Sequence, residues 1–315
     1  MIRVENLTRD YGPVRALDSV SFEVGQNQIL GFLGPNGAGK STAMKIITTY
    51  IAPTSGTVTV DGIDVTEDPI AIRRKIGYLP ETNPLYVDMR VDEYLEFIAR
   101  ARGLSGADFR RRLDYVVEAA GIGHVLKKEI QELSKGFKQR TGLAQALIHD
   151  PPVLILDEPT SGLDPLQIVE IRSLVQELAR EKTIIFSTHI LSEISSTTDR
   201  AIIINDGRII ADGQVSALTR EALGDQVLEV VLRAPLAAVE SRLGALDSIA
   251  RLSVNAAAGD TVEVNLSVSG DPVALQREIG ELAAREGWPV LGLATKAASL
   301  EDVFLHLVRE EVAHA

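Results

Sequence analysis

The segment GPNGAGKST, residues 34–42, sets Gly34, Gly39, Lys40 and Ser41 at the spacing G-x-x-x-x-G-K-[ST]. Its glycines let the backbone of the whole stretch, Gly34, Pro35, Asn36, Gly37, Ala38, Gly39, Lys40, Ser41 and Thr42, turn so that N–H groups converge on phosphate oxygens. The positive end of a following helix faces the same anion, Lys40 reaches toward the β- and γ-phosphates, and the Ser41 hydroxyl can ligate Mg²⁺. A ligand-free glycine turn is the plainer reading. The apolar run ILGFL before the segment and the helix-compatible TAMKII after it supply the strand, loop and helix that a phosphate cradle needs.

A second stretch, VLILDEPTSGLD at 153–164, offers the acids. Val153 to Leu156 describe a buried strand, so Asp157 emerges at its carboxyl end, where open α/β sheets bind ligands. Asp157 is expected to hold the metal through its water shell, and Glu158 to orient and deprotonate a water that attacks the γ-phosphate. The run TIIFSTH ends a further strand with His189 beyond it. A lone histidine is more often structural or merely exposed, but a parallel strand would bring this imidazole to the same sheet edge as Glu158, as a γ-phosphate contact.

These side chains need a frame to hold them. Up to about residue 225, β-rich apolar runs alternate with helical patterns, which argues for a largely parallel α/β sheet. Consecutive amphipathic helices between Val91 and Ile130 interrupt it, giving a helical subdomain over about 88–150. From Val227 the order is strand, helix, strand, strand, helix, strand, the ferredoxin-like order, so 226–315 is taken as a small α+β second domain. That domain holds 7 Lys plus Arg against 13 Asp plus Glu and has no phosphate loop, which fits an accessory or regulatory role better than catalysis.

Composition closes several alternatives. With 315 residues, 45% hydrophobic and 24% charged, the chain can bury a substantial core. A formal net charge of -12 weighs against a broad nucleic-acid footprint. The absence of cysteine excludes disulfides, thiolate metal sites and cysteine nucleophiles. The charged start MIRVENLTRDYG lacks the apolar core of a secretion signal, and no run is long enough for a spanning helix, so a cytoplasmic location is expected.

The ordered set GPNGAGKST, LSKGFKQR, VLILDEPTSGLD and FSTH resembles the nucleotide-binding subunits of ATP-binding cassette transporters, over roughly residues 2 to 220. The resemblance implies a P-loop ATPase cassette fold, ATP and Mg²⁺ as ligands, and a head-to-tail dimer clamping two ATP molecules. It implies that Tyr11 stacks on adenine, that Asp164 lies in a dimer-contacting loop, and that His189 is the switch histidine. Ser134, Lys135 and Gly136 resemble the Leu-Ser-Gly-Gly-Gln signature that contacts the γ-phosphate of the opposite subunit, with Ser134 also a good helix N-cap. Lys135 and Phe137 depart from that signature. Glu81 stands where the family commonly has glutamine; it is assigned to the metal, and the segment Glu81 to Arg90 to the contact with a membrane subunit. The tail SLEDVFLHL at 299–307 resembles type-2 exporter subunits. The expectation is an ATP-hydrolysing subunit, peripheral on the inner face of the cell membrane, that powers an exporter through integral permease partners. A soluble cassette acting on nucleic acid or ribosomes is the alternative. A small-molecule kinase with the same loop would leave 132–140 without a purpose.

Overall fold

The computed structural model describes residues 2–223, 227–246, 248–256, 260–268, 272–296 and 303–304. The chain divides into two compact units, Met1–Gly213 and Gln214–Ala315. The expected division at 225/226 differs by about one short helix, α8 (Val215–Leu223), which goes with the second unit.

The first unit contains two sheets rather than one. β1 (Ile2–Tyr11) and β2 (Val14–Val24) alternate buried and exposed residues along much of their length and pair antiparallel. β4 (Ser55–Val60) and β5 (Ile63–Asp64) extend the sheet in the order β2-β1-β4-β5. The link between β4 and β5 is Asp61-Gly62, at φ 49° and 77°, and positive φ at both central residues is the type I′ turn that matches strand twist. The sequence pattern anticipates a largely parallel sheet. These half-buried, hairpin-joined strands form an antiparallel one instead.

The second sheet has the order β10-β9-β3-β8-β7-β6, built from β3 (Ile29–Leu33), β6 (Ile76–Leu79), β7 (Val153–Asp157), β8 (Thr183–Thr188), β9 (Arg200–Asn205) and β10 (Arg208–Gln214). β7 and β8 are buried at every position, as near-continuous apolar runs are when helices cover both faces of a parallel sheet. The pairs β3–β8, β8–β7 and β7–β6 are parallel, with Leu33 opposite Thr188, Asp157 opposite Ser187, and Leu79 opposite Leu156. Four chain exits therefore share one sheet edge: the phosphate loop, Glu158, His189 and the segment at Glu81. Helices α1 (Lys40–Ile47), α2 (Pro69–Lys75), α6 (Pro165–Leu178) and α7 (Leu191–Thr197) connect the strands. Phe22 of β2 meets Phe32 of β3 with ring centroids 5.5 Å apart, in a core that also takes in Met44, Ile46 and Ile47 of α1. Each such buried side chain contributes about 1.5–3 kcal/mol, so the two sheets and α1 hold together as one layered body.

Between β6 and β7 lie α3 (Val91–Ala101), α4 (Gly106–Ala119) and α5 (Lys135–Leu147), the helical insertion anticipated from periodicity. Just past α5, the His149 Nε2–H donates to the Ile76 carbonyl at 3.2 Å, while Nδ1 is buried without a hydrogen-bond partner among the described residues. Burial, with Arg102 next in weight, pushes this imidazole from 6.5 down to about 4. The unfolded chain then takes up a proton that the folded chain refuses, so stability is full above pH 6.5 and falls as pH drops from there toward 4. In His149→Gln this part of the acid loss, on the order of 1 kcal/mol per pH unit, is expected to vanish. Denaturant unfolding of parent and variant between pH 7 and 4.5 checks it, and parallel curves would refute it.

In the second unit β11 (Val227–Arg233), α9 (Leu236–Leu243), β12 (Ile249–Ala256), β13 (Thr261–Val268), α10 (Pro272–Glu286) and β14 (Val290–Lys296) form a sheet of order β12-β13-β11-β14 in which all three pairs are antiparallel. This is the split βαβ arrangement expected from the element order. Leu228, Val230 and Leu232 of β11 face Val239, Leu275 and Ile279 in its core. Apart from Val303 and Phe304, the tail 299–307 lies outside the described residues.

Candidate active site

The loop after β3 is shaped by close approach. Gly37 and Gly39 sit at φ 87° and 106°, the left-handed region that disfavours any Cβ. A Cβ at Gly39 would also lie 2.5 Å from the Ala16 carbonyl. Gly39 occupies the N-cap of α1 and supplies no side-chain cap, so the first-turn N–H groups remain available to an anion. Lys40 is 5% exposed and folds back on its own loop, donating to the carbonyls of Gly34 at 2.7 Å and Pro35 at 3.2 Å. Beside it opens a cavity of about 360 Å³ lined by Pro35, Asn36, Gly37, Gly39, Lys40, Ser41 and Thr42, together with Glu81 and Glu158. The structure thus brings three separately read segments to one place: the loop with its lysine, Glu81 beyond β6 and the second acid.

Asp157 ends β7 and is 1% exposed; the Ser187 hydroxyl donates to its Oδ1 at 2.6 Å. Glu158 takes φ 51°, unusual for a side chain of this size. Its N–H is held by both the carbonyl and the hydroxyl of Ser187, each at 3.1 Å, which keeps the strained backbone in place. The Glu158 carboxylate is 4% exposed and lies between two basic groups. Oε1 is 3.4 Å from the Lys40 ammonium and has no hydrogen bond among the described residues, and Oε2 meets His189 Nδ1 at 2.8 Å. An acceptor poised at a phosphate loop, with an imidazole fixing its orientation, is the arrangement of a general base.

The remaining predicted residues fall elsewhere. Tyr11 ends β1, 44% exposed, with the Arg9 guanidinium 4.7 Å from its ring centroid; it does not line the cavity. Ser134 caps α5 by accepting from the Phe137 N–H at 3.4 Å. Lys135 lies over Gly162, where an added Cβ would be 2.6 Å from its Cε, and Gly136 packs on Gln167 closely enough that a Cβ would meet Oε1 at 2.5 Å. The signature segment therefore stands against Gly162 and Gln167, beyond the acid pair, and lines no part of the phosphate-loop cavity of its own chain. Asp164 in that loop caps α6, accepting from the Gln167 N–H at 2.9 Å. Sequence reasoning passed over Ser187, which orders both acids. Its only signal is that the hydroxyl residues Ser187 and Thr188 end the apolar run at 184–186.

The ABC transporter family model matches residues 17–161. The bacitracin transport ATP-binding protein BcrA of Bacillus licheniformis is 33% identical over 317 residues, covering 98% of this chain and 97% of its own. The Nod factor export ATP-binding protein I of Burkholderia orbicola is 35% identical over 315 residues, covering 99% and 98%. Among solved structures, the dimeric post-hydrolysis cassette MJ0796 bound to ADP and Pi matches with a TM-score of 0.63 and 27% identity, covering 68% of this chain and 98% of that one. A phosphate loop, an acid pair and a histidine on one parallel-sheet edge, in a chain matched end to end by such relatives, lead to one conclusion: the chain belongs to the ABC transporter family as an ATP-binding, ATP-hydrolysing subunit.

Proposed function

We propose that this subunit powers a membrane exporter, hydrolysing ATP in a head-to-tail dimer and passing the motion to integral permease partners. The observation that carries the catalytic part is the Glu158 carboxylate held between Lys40 and His189 at the wall of the phosphate-loop cavity. In this reading Glu158 takes a proton from water as the water oxygen bonds to the γ-phosphorus and the β–γ bridging bond breaks, releasing ADP and phosphate. Lys40 exchanges its contacts with the loop carbonyls for the β- and γ-phosphates, and His189 keeps the base oriented. Tyr11 offers the free face of its ring to adenine. Ser134, Lys135 and Gly136 address the γ-phosphate held by a partner cassette.

The donors at the cavity suit Mg²⁺. They are all oxygen, from the Ser41 hydroxyl and the carboxylates of Glu81 and, behind the wall, Asp157. Among the described residues no three acids or imidazoles form a cage of their own, as fits a hard cation shared with substrate phosphates. When bound, the ion neutralises charge on the transferring phosphoryl group.

Export is supported by the relatives named for export and transport. A permease contact is supported by the segment 81–90. There Tyr86 and Val87 are 54% and 44% exposed, and Tyr86 meets Tyr94 edge-on and the half-exposed Phe97 at a tilt, with ring centroids 6.0 and 5.5 Å apart, an apolar patch of the kind that marks interaction sites. No helix among the described residues is long and apolar enough to cross a membrane, so attachment at the inner face would come through that partner. The second unit, without a phosphate loop, fits an accessory role. Affinity purification from detergent-solubilised membranes is expected to retain a membrane protein with the parent chain and lose it with Tyr86→Asp, nucleotide binding being unchanged in both. Recovery with ribosomes or DNA instead would return the reading to the nucleic-acid alternative.

A further inference from the structure

The two loops that carry Glu158 and His189 meet at a third buried carboxylate. Glu193, in α7, is 3% exposed, and its Oε2 accepts from the Thr160 hydroxyl at 2.8 Å and from the Thr188 hydroxyl at 2.8 Å. Thr160 lies two residues beyond Glu158, and Thr188 immediately precedes His189. The Thr188 hydroxyl also accepts from the Ile190 N–H at 3.0 Å, so one oxygen fixes the chain on both sides of His189. The other Glu193 oxygen, Oε1, is buried without a hydrogen-bond partner among the described residues.

An ionisable side chain buried with half its acceptor capacity unused is a costly way to fill space. A buried aliphatic residue would pack the same position at lower cost. What the carboxylate supplies and an aliphatic cannot is a single acceptor shared by two hydroxyls, one in the loop after β7 and one at the end of β8. The 2.8 Å contact between His189 and Glu158 spans those same two segments. We infer that Glu193 is a positioning residue for hydrolysis, which through Thr160 and Thr188 sets the register between the base Glu158 and His189. The inference rests on the proposed role of Glu158. It places the effect of Glu193 on turnover rather than on nucleotide affinity, because the phosphate loop that grips the nucleotide lies outside this bridge.

Steady-state ATPase kinetics and thermal unfolding of Glu193→Ala, Glu193→Gln and Glu158→Gln test it. In Glu193→Ala, kcat is expected to fall about ten- to a hundredfold, with KM for ATP within about twofold, as for a base displaced by a fraction of an ångström to an ångström. Glu193→Gln keeps an amide oxygen that can accept from both hydroxyls, and is expected to recover most of that rate. Parent-level kcat in Glu193→Ala, failure of the glutamine variant to recover, or a matched change in kcat and KM would each overturn the inference. If Glu193→Ala does not fold, Thr160→Val and Thr188→Val take its place. Each must lower kcat, and the double variant must lose less than the product of the two, since both report on one carboxylate; independent effects would overturn it. Glu158→Gln separates the two readings: full activity there removes the base assignment and this inference with it, whereas an inactive Glu158→Gln beside a fully active Glu193→Ala removes this inference alone.

Discussion

In Glu158→Gln, ATP turnover is expected to fall by about 10²- to 10⁴-fold, the usual contribution of a positioned base, while ATP still binds. Glutamine matches glutamate in shape and bears the same φ of 51°, so the backbone and its two contacts to Ser187 should persist. Its amide oxygen can still meet His189. What disappears is the proton acceptor, together with the negative charge 3.4 Å from Lys40. Relieved of that partner, Lys40 is freer to engage phosphate, so ATP affinity should hold or rise. In the proposed cycle hydrolysis reopens a nucleotide-closed pair, so the variant should accumulate as a dimer in ATP and stay monomeric without it. Phosphate-release assays and size-exclusion chromatography with and without ATP measure both arms. Turnover at the parent rate would end the case for Glu158 as the base.

Lys40→Met should lose nucleotide binding for one reason and stability for another. Hydrogen bonds to charged groups contribute about 1.5–3 kcal/mol each, so losing the ammonium should weaken ATP binding by about ten- to a hundredfold or more. The same ammonium lies 3.4 Å from the Glu158 carboxylate, both residues being about 95% buried, while His189 meets the other oxygen. Removing the ammonium leaves that carboxylate with a charge only His189 faces, and breaking a buried pair costs about 3–5 kcal/mol. The double variant Lys40→Met with Glu158→Gln has no stranded charge. It should regain much of the lost stability while remaining unable to bind or hydrolyse ATP. Thermal unfolding alongside titration of a fluorescent ATP analogue separates the two effects, and a double variant no more stable than Lys40→Met would refute the pairing.

The residues proposed to act on phosphate were legible because each belongs to a short contiguous pattern with its own strand and turn. The phosphate loop, Asp157, Glu158 and His189 needed only the parallel alternation to converge, and the registers Leu33–Thr188 and Asp157–Ser187 bring them to one edge. The antiparallel sheet of β1, β2, β4 and β5 was less legible, because its half-buried strands are joined by turns whose pairing depends on positive φ at Asp61 and Gly62. Ser187 and Glu193 escaped for a different reason. The contacts that tie them to the acid pair's loop reach 30 and 33 residues along the chain, and a hydroxyl or an acid in a short helix carries no local mark of such a contact. Lys135 is intermediate: its departure from the signature was plain in sequence, whereas its resting place over Gly162 required the fold.

The contact between Gly162 and Lys135 is constrained on one side only. Gly162 is held at φ 72°, a conformation that side chains rarely adopt, so replacing it carries a backbone penalty of about 1 kcal/mol whatever stands at position 135. The Lys135 side chain is exposed, and the far end that fills the space a Cβ at Gly162 would need can swing clear. The glycine is therefore the fixed partner of the pair and the lysine the adaptable one.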